Sequence, residues 1–185
     1  MKTINLLIKV TLLASLILSV GACSSYTYNS QVAIDEPLIN ASGETLDGTP
    51  VDFPKDFAGR PTILLFGYVH KSQFDIDRWL IGLSMTKTEA PIYELPAIKN
   101  PIARLFSDRF DDAMREGIPR EIWSDVITIY ADGDKVQRYT GNVKPKNARV
   151  FVIDENGVVK YFYDRGFSVA ALTELKDTLS AIGAK

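Results

Sequence analysis

Residues 70 to 75 read His70-Lys71-Ser72-Gln73-Phe74-Asp75. An imidazole, a hydroxyl and a carboxylate this close together could serve as base, nucleophile and orienting acid. His70 is the only histidine of the 185-residue chain. It could act as a general base or ligate a metal, but one imidazole falls short of a typical zinc set. Ser72 also has the chemistry of a helix N-cap, whose side chain accepts a bond from a first-turn N–H. Asp75, three residues later, would then complete a capping box. That cap explains Ser72 without catalysis, and no oxyanion donor is evident. Asp132 and Asp134 could hold a cation, yet a calcium loop needs several more oxygen ligands. The reading therefore assigns no catalytic residue, no metal and no cofactor. It marks Tyr68, His70, Lys71, Ser72, Phe74 and Asp75 as a candidate cleft or partner surface. An enzyme without cysteine, or a small-ligand binder using the His70 cleft, is the alternative.

The remaining reactive side chain is Cys23, the only cysteine. Lys2 supplies an early positive charge, Val10 to Val20 an apolar stretch, and Val20-Gly21-Ala22 the small residues before it. That is the layout of a secretory signal over residues 1–22. The apolar stretch is shorter than the roughly 20 residues of a membrane span. "LSVGAC" resembles a bacterial lipobox, which implies lipidation of Cys23 and a periplasmic, membrane-anchored domain. Ser24 after the cysteine favours the outer membrane over the inner one. Removing 22 residues leaves 163, with a formal charge of −4. That length suits one domain. No basic run suggests nucleic acid, and one cysteine excludes an internal disulfide or a thiolate zinc site. Residues 23–40 read as a tether or loosely packed arm, and 41–185 as the domain.

The elements that must position the candidate residues are legible. "TILLFGY" (62–68) suits a strand buried on both faces. Ile76, Trp79, Leu80 and Leu83 then form one apolar helix face. "APIYELPAI" predicts a strand, and "NPIARLFSDRFDDAMREG" a helix with Ile102, Leu105, Phe106, Phe110 and Met114 inward and Asp108, Asp111 and Asp112 outward. "DVITIY" predicts a strand and "DKVQRYTG" a short helix. "RVFVIDENGVVKYFY" predicts a hairpin turning at Gly157. Ser168 caps a final helix lined by Leu172, Leu175, Leu179 and Ile182. Short strands are expected near 44–46 and 50–53. Early strands alternating with helices imply parallel pairing through right-handed crossovers. Trp79, Phe106 and Phe110 are expected in the core.

This order resembles the thioredoxin-like fold, an α/β three-layer arrangement of a mixed sheet flanked by helices with a C-terminal hairpin and helix. "LDGTPVDFPKDFAGRPTILLF", the strand-to-helix junction after it, and "FVIDENGVV" carry the likeness over about residues 42 to 183. The resemblance implies a Cys-x-x-Cys pair at the helix start, where backbone N–H groups and the helix dipole favour a thiolate. Here those positions fall near Lys71 and Phe74. The proline that redox members place before the hairpin is also absent, with Ala148 in its place and Pro145 too early. "YELPAI", "AMREGIP" and "ITIY" are similar to mitochondrial ATP-synthase assembly factors and their bacterial relatives. That likeness implies a protein-binding role in assembly or quality control without identifying the client, and the expected anchor makes an envelope protein the expected partner.

Overall fold

In a computed structural model, the described residues are 27–99 and 107–184. The signal segment, Cys23, Ile102, Leu105 and Phe106 lie outside them. The elements are β1 Ala41–Thr45, β2 Pro50–Phe53, β3 Thr62–Gly67, α1 Gln73–Met85, β4 Ile92–Pro96 and α2 Ser107–Gly117. After them come β5 Ile127–Thr128, α3 Gly133–Thr140, β6 Arg149–Ile153, β7 Val159–Tyr163 and α4 Val169–Ala181. None of the helices is long and apolar enough to cross a membrane, among the described residues.

The central sheet runs β4-β3-β6-β7. β3 pairs parallel with β4 across the α1 crossover and antiparallel with β6, and β6 turns back onto β7. A second sheet, β2-β1-β5, meets the first where Ile129 N–H donates to Pro96 O and Ile98 N–H to Ile129 O, at 2.8 and 2.9 Å.

The unbroken apolar run of β3 has a physical cause. Leu64 and Phe66 face one core with Phe53, Phe57, Val136 and Phe151, whereas Ile63 and Leu65 face another with Trp79, Leu83, Leu172 and Leu175. Each such side chain contributes about 1.5–3 kcal/mol on full burial. A strand covered on both sides therefore shows no alternation. Ser168 caps α4 as expected, accepting from Ala171 N–H at 3.1 Å. At the hairpin, Asp154 Oδ1 accepts from Asn156 N–H and Val158 N–H, and Gly157 takes the positive φ of 76°.

Three expectations are corrected. Over its described residues, 27–40, the arm is not loose. Asp35 N–H donates to Val159 O, Val159 N–H to Glu36 O, and Leu38 N–H to Gly157 O. It thereby occupies backbone groups along β7, the edge of the central sheet. Its polar composition hides this because the bonds use main-chain atoms. In α2, Phe110 is 47% exposed while Asp111 is buried. The helix is turned so that Asp111 Oδ1 accepts from Tyr130 Oη at 2.8 Å, and burial raises the Asp111 pKa. The expected third strand, "DVITIY", shortens to Ile127–Thr128.

Glu94 on β4 yields a pH-dependent prediction. Its carboxylate accepts from Gln73 Nε2 at 3.1 Å, and Gln73 also donates to Asp77. Burial raises its pKa, Asp77 adds to the rise, and Gln73 opposes it. A carboxyl whose folded pKa exceeds the unfolded one binds more protons when folded. Stability therefore falls as pH rises through the folded value. Glu94→Gln is expected to raise Tm at pH 7, with the gain vanishing below the ordinary glutamate value of 4.5. Thermal melts at several pH values check this, and an unchanged Tm at pH 7 would contradict it.

Candidate functional site

The site lies at the C-terminal end of β3, where an open α/β sheet places its ligands. After Gly67 the chain passes through Tyr68 and Val69 into a 3-10 turn, His70–Ser72, and then into α1. Gly67 is required because a Cβ there would lie 2.7 Å from Ser72 Oγ. The turn shifts the helix start, so Ser72 does not cap it. Ser72 is buried, its Oγ donates to Val69 O at 2.7 Å, and its N–H donates to the same oxygen. Its hydroxyl is engaged by the backbone, and no hydrogen bond joins it to His70. The base–nucleophile reading has no geometry behind it.

Asp75 is not the second half of a capping box either. It is buried, and its two oxygens accept from two distant backbone donors, Ala148 N–H and Phe167 N–H, both at 2.8 Å. One carboxylate thus joins three segments: the start of α1, the chain entering β6, and the loop before α4. Ala148 can take part because it has an N–H, which a proline lacks.

Tyr68, read as a candidate contact surface, is tied down. Its hydroxyl bonds Thr140 Oγ1, and the Arg149 guanidinium lies 4.8 Å from the ring centre. Burial pushes its phenol well above the usual range. Arg149 itself is fully buried, and the composition gave no hint of it. Its Nε donates to Gly141 O at 2.9 Å, and one terminal nitrogen donates to Lys144 O and Asn147 O, both at 2.7 Å. Burial lowers its pKa, and Tyr68, Asp164 and Asp75 pull the other way.

Of the candidate surface, His70, Lys71 and Phe74 are exposed, Phe74 to 68%, and the neighbouring Val69 is exposed as well. The described residues contain no group of three metal-ligating side chains. Asp132 accepts from Ser42 N–H, and Asp134 pairs with Arg138 and Lys99, which occupies the suspected cation ligands. Two surface depressions, of about 200 and 370 Å3, include none of residues 68 to 75. The first is lined by Asp47, Phe57 and Tyr93, the second by Ser42, Phe53 and Lys135.

A three-layer sheet with a strand-to-helix turn at this place settles the architecture. The fold is thioredoxin-like. A thiol peroxidase from Chromobacterium violaceum superposes with a TM-score of 0.57 at 12% identity, covering 87% of this chain and 93% of its own. A thio-disulfide isomerase from Thermus thermophilus gives 0.52 at 16%, covering 83% and 99%. A SCO1/SenC family lipoprotein from Bacillus anthracis str. Ames gives 0.50 at 12%, again covering 83% and 99%. No family model matches the chain, and no curated protein does. At these identities the likeness is one of fold. In this thioredoxin-like chain, the positions expected to hold a thiol pair are Lys71, in the 3-10 turn, and Phe74, in the first turn of α1.

Proposed function

We propose that the chain is a lipid-anchored envelope protein whose thioredoxin-like domain has no thiol chemistry and binds a protein client. The observation that carries this reading is the exposed, mixed surface at the start of α1. Val69 and Phe74 stand in solvent beside His70 and Lys71, on a junction held fixed from behind by Asp75. Aromatic anchors flanked by polar groups are the usual composition of a protein contact. An assembly or chaperone-like role on the periplasmic face, at the outer membrane, follows from the lipobox resemblance at Cys23 and from the assembly-factor likeness. No cofactor is part of it.

A photo-crosslinking residue at Lys71 in the full-length lipoprotein tests the proposal in living cells. One dominant protein adduct is expected, lost in Phe74→Ser and absent from a control position at Asp177 on α4. Equal adducts at both positions would remove the binding face. Thiol–disulfide reductase activity in the purified protein would overturn the absence of redox chemistry.

A further inference from the structure

The arm does more than cover β7. Its first described contacts fasten it to the loop after α3. Tyr28 N–H donates to Asn142 Oδ1 at 2.8 Å, and Asn142 N–H returns a bond to Tyr28 O at 2.9 Å. Gln31 N–H donates to Tyr139 O. A Cβ on Gly141 would meet Ser30 N at 2.6 Å, so the arm lies directly on that glycine. The Tyr28 ring has two cations against it, Lys99 Nζ at 4.7 Å and the Arg138 guanidinium at 4.6 Å from its centre.

Only five residue steps separate Tyr28 from Cys23. Fully extended, they span at most about 17 Å. Given the anchor proposed above, on which this inference rests, the Tyr28 end of the domain lies within that distance of the bilayer. That reach is close to the radius of gyration of roughly 15 Å for a domain of this size. The domain has no room to turn this end away from the lipid.

The surface around Tyr28 has the charge such a position calls for. Lys99 and Arg138 share one carboxylate, Asp134. Beside them, the loop 141–147 presents Lys144, Pro145 and Lys146 in solvent, turning where Asn147 N–H donates to Lys144 O, with Val143 just before the turn 54% exposed. Lys99, Arg138, Lys144 and Lys146 thus bring four cations to this end of a protein whose mature charge is negative. The loop does not wave freely. Arg149 grips it from inside through the carbonyls of Gly141, Lys144 and Asn147. An exposed valine followed by two lysines on a fixed loop fits a layer of anionic headgroups with acyl chains beneath.

We infer that the 141–147 loop, with Lys99 and Arg138, is a docking surface for anionic phospholipid. Lys144 and Lys146 contact the headgroups and Val143 enters among them. The domain therefore sits on its membrane in one orientation.

The test uses the full-length lipoprotein in vesicles of phosphatidylethanolamine with phosphatidylglycerol, compared with phosphatidylcholine alone. A fluorophore is placed at Val143→Cys, or at Asp177→Cys on α4 as a control. Acrylamide quenching is expected to fall several-fold at position 143 in the anionic vesicles and to stay unchanged at 177. K144E/K146E is expected to restore quenching, weakening the contact roughly tenfold or more for two reversed charges. Full quenching at 143 in anchored protein overturns the inference, as does equal protection in phosphatidylcholine. The mass of the N-terminal fragment reports acylation of Cys23 separately, so loss of the anchor and loss of the docking are told apart.

Discussion

Asp75→Ala is expected to destabilise the domain by about 2–4 kcal/mol, the cost of leaving two buried backbone donors unpaired after allowing for the relieved burial of a charge. Ala148 N–H and Phe167 N–H would both lose their acceptor. For a domain of this size the loss corresponds to a fall in Tm on the order of 10 °C. Asp75→Asn separates charge from shape. Its carbonyl oxygen can keep one N–H, but its amide group donates and would face the other. It should recover less than half of the loss. Hydrogen exchange adds a local signature, since the amides of 148 and 167 are expected to lose protection before those of β3. A Tm within two or three degrees of the parent (a change worth about 1 kcal/mol) would mean that Asp75 is a passive bystander.

Arg149→Met is the second large effect, expected to cost about 2–3 kcal/mol. Two opposing contributions decide its sign. Burying a guanidinium is expensive, and replacing a buried ion by an apolar side chain of similar volume is often neutral or stabilising. Here the ion has no carboxylate within salt-bridge distance among the described residues, and its hydrogen-bond partners are carbonyls from one loop. Methionine would leave Gly141 O, Lys144 O and Asn147 O without their donor, at about 1–3 kcal/mol for each that water cannot reach. Lys144 is exposed and Gly141 is buried, so the loss is set mainly by Gly141. Arg149→Lys keeps the charge but cannot span three acceptors, and is expected to fall between the two. Chemical denaturation of the three proteins gives the order. A methionine variant as stable as the parent would show that desolvation outweighs the bonds. The same variants should loosen the 141–147 loop, visible as faster exchange of Asn147 N–H, which donates to Lys144 O.

Elements with their own internal pattern were legible in the sequence. The apolar run of β3, the apolar face of α1 with Trp79 in the core, the hairpin and the capped α4 all stand where periodicity and turn residues placed them. The thioredoxin-like order followed from them. The site was read less well, because its bonds join residues far apart. Asp75 looks like a cap partner of Ser72 when only the neighbouring residues are considered. Its actual partners lie 73 and 92 positions away. Ser72 misled for a local reason, because a 3-10 turn before α1 displaces the helix start. Tyr68 looked available until Arg149 and Thr140, both distant in sequence, closed over it. In α2, the spacing of Phe110 and Met114 suggested an inward face, but the contact of Asp111 with Tyr130 sets the helix rotation.

The bond from Ala148 N–H to Asp75 also bears on how such a chain can change over generations. Installing cysteines at 71 and 74 would supply thiols and leave the neighbouring proline still missing. Placing that proline at 148 would delete the donor that Asp75 holds and leave a buried carboxylate with a single N–H. Replacing Asp75 first would strand the amides of Ala148 and Phe167. Either change, at 148 or at 75, therefore passes through a less stable chain. The amide at 148 behaves as a ratchet: while the carboxylate rests on it, a proline there is reached across a valley rather than down a slope.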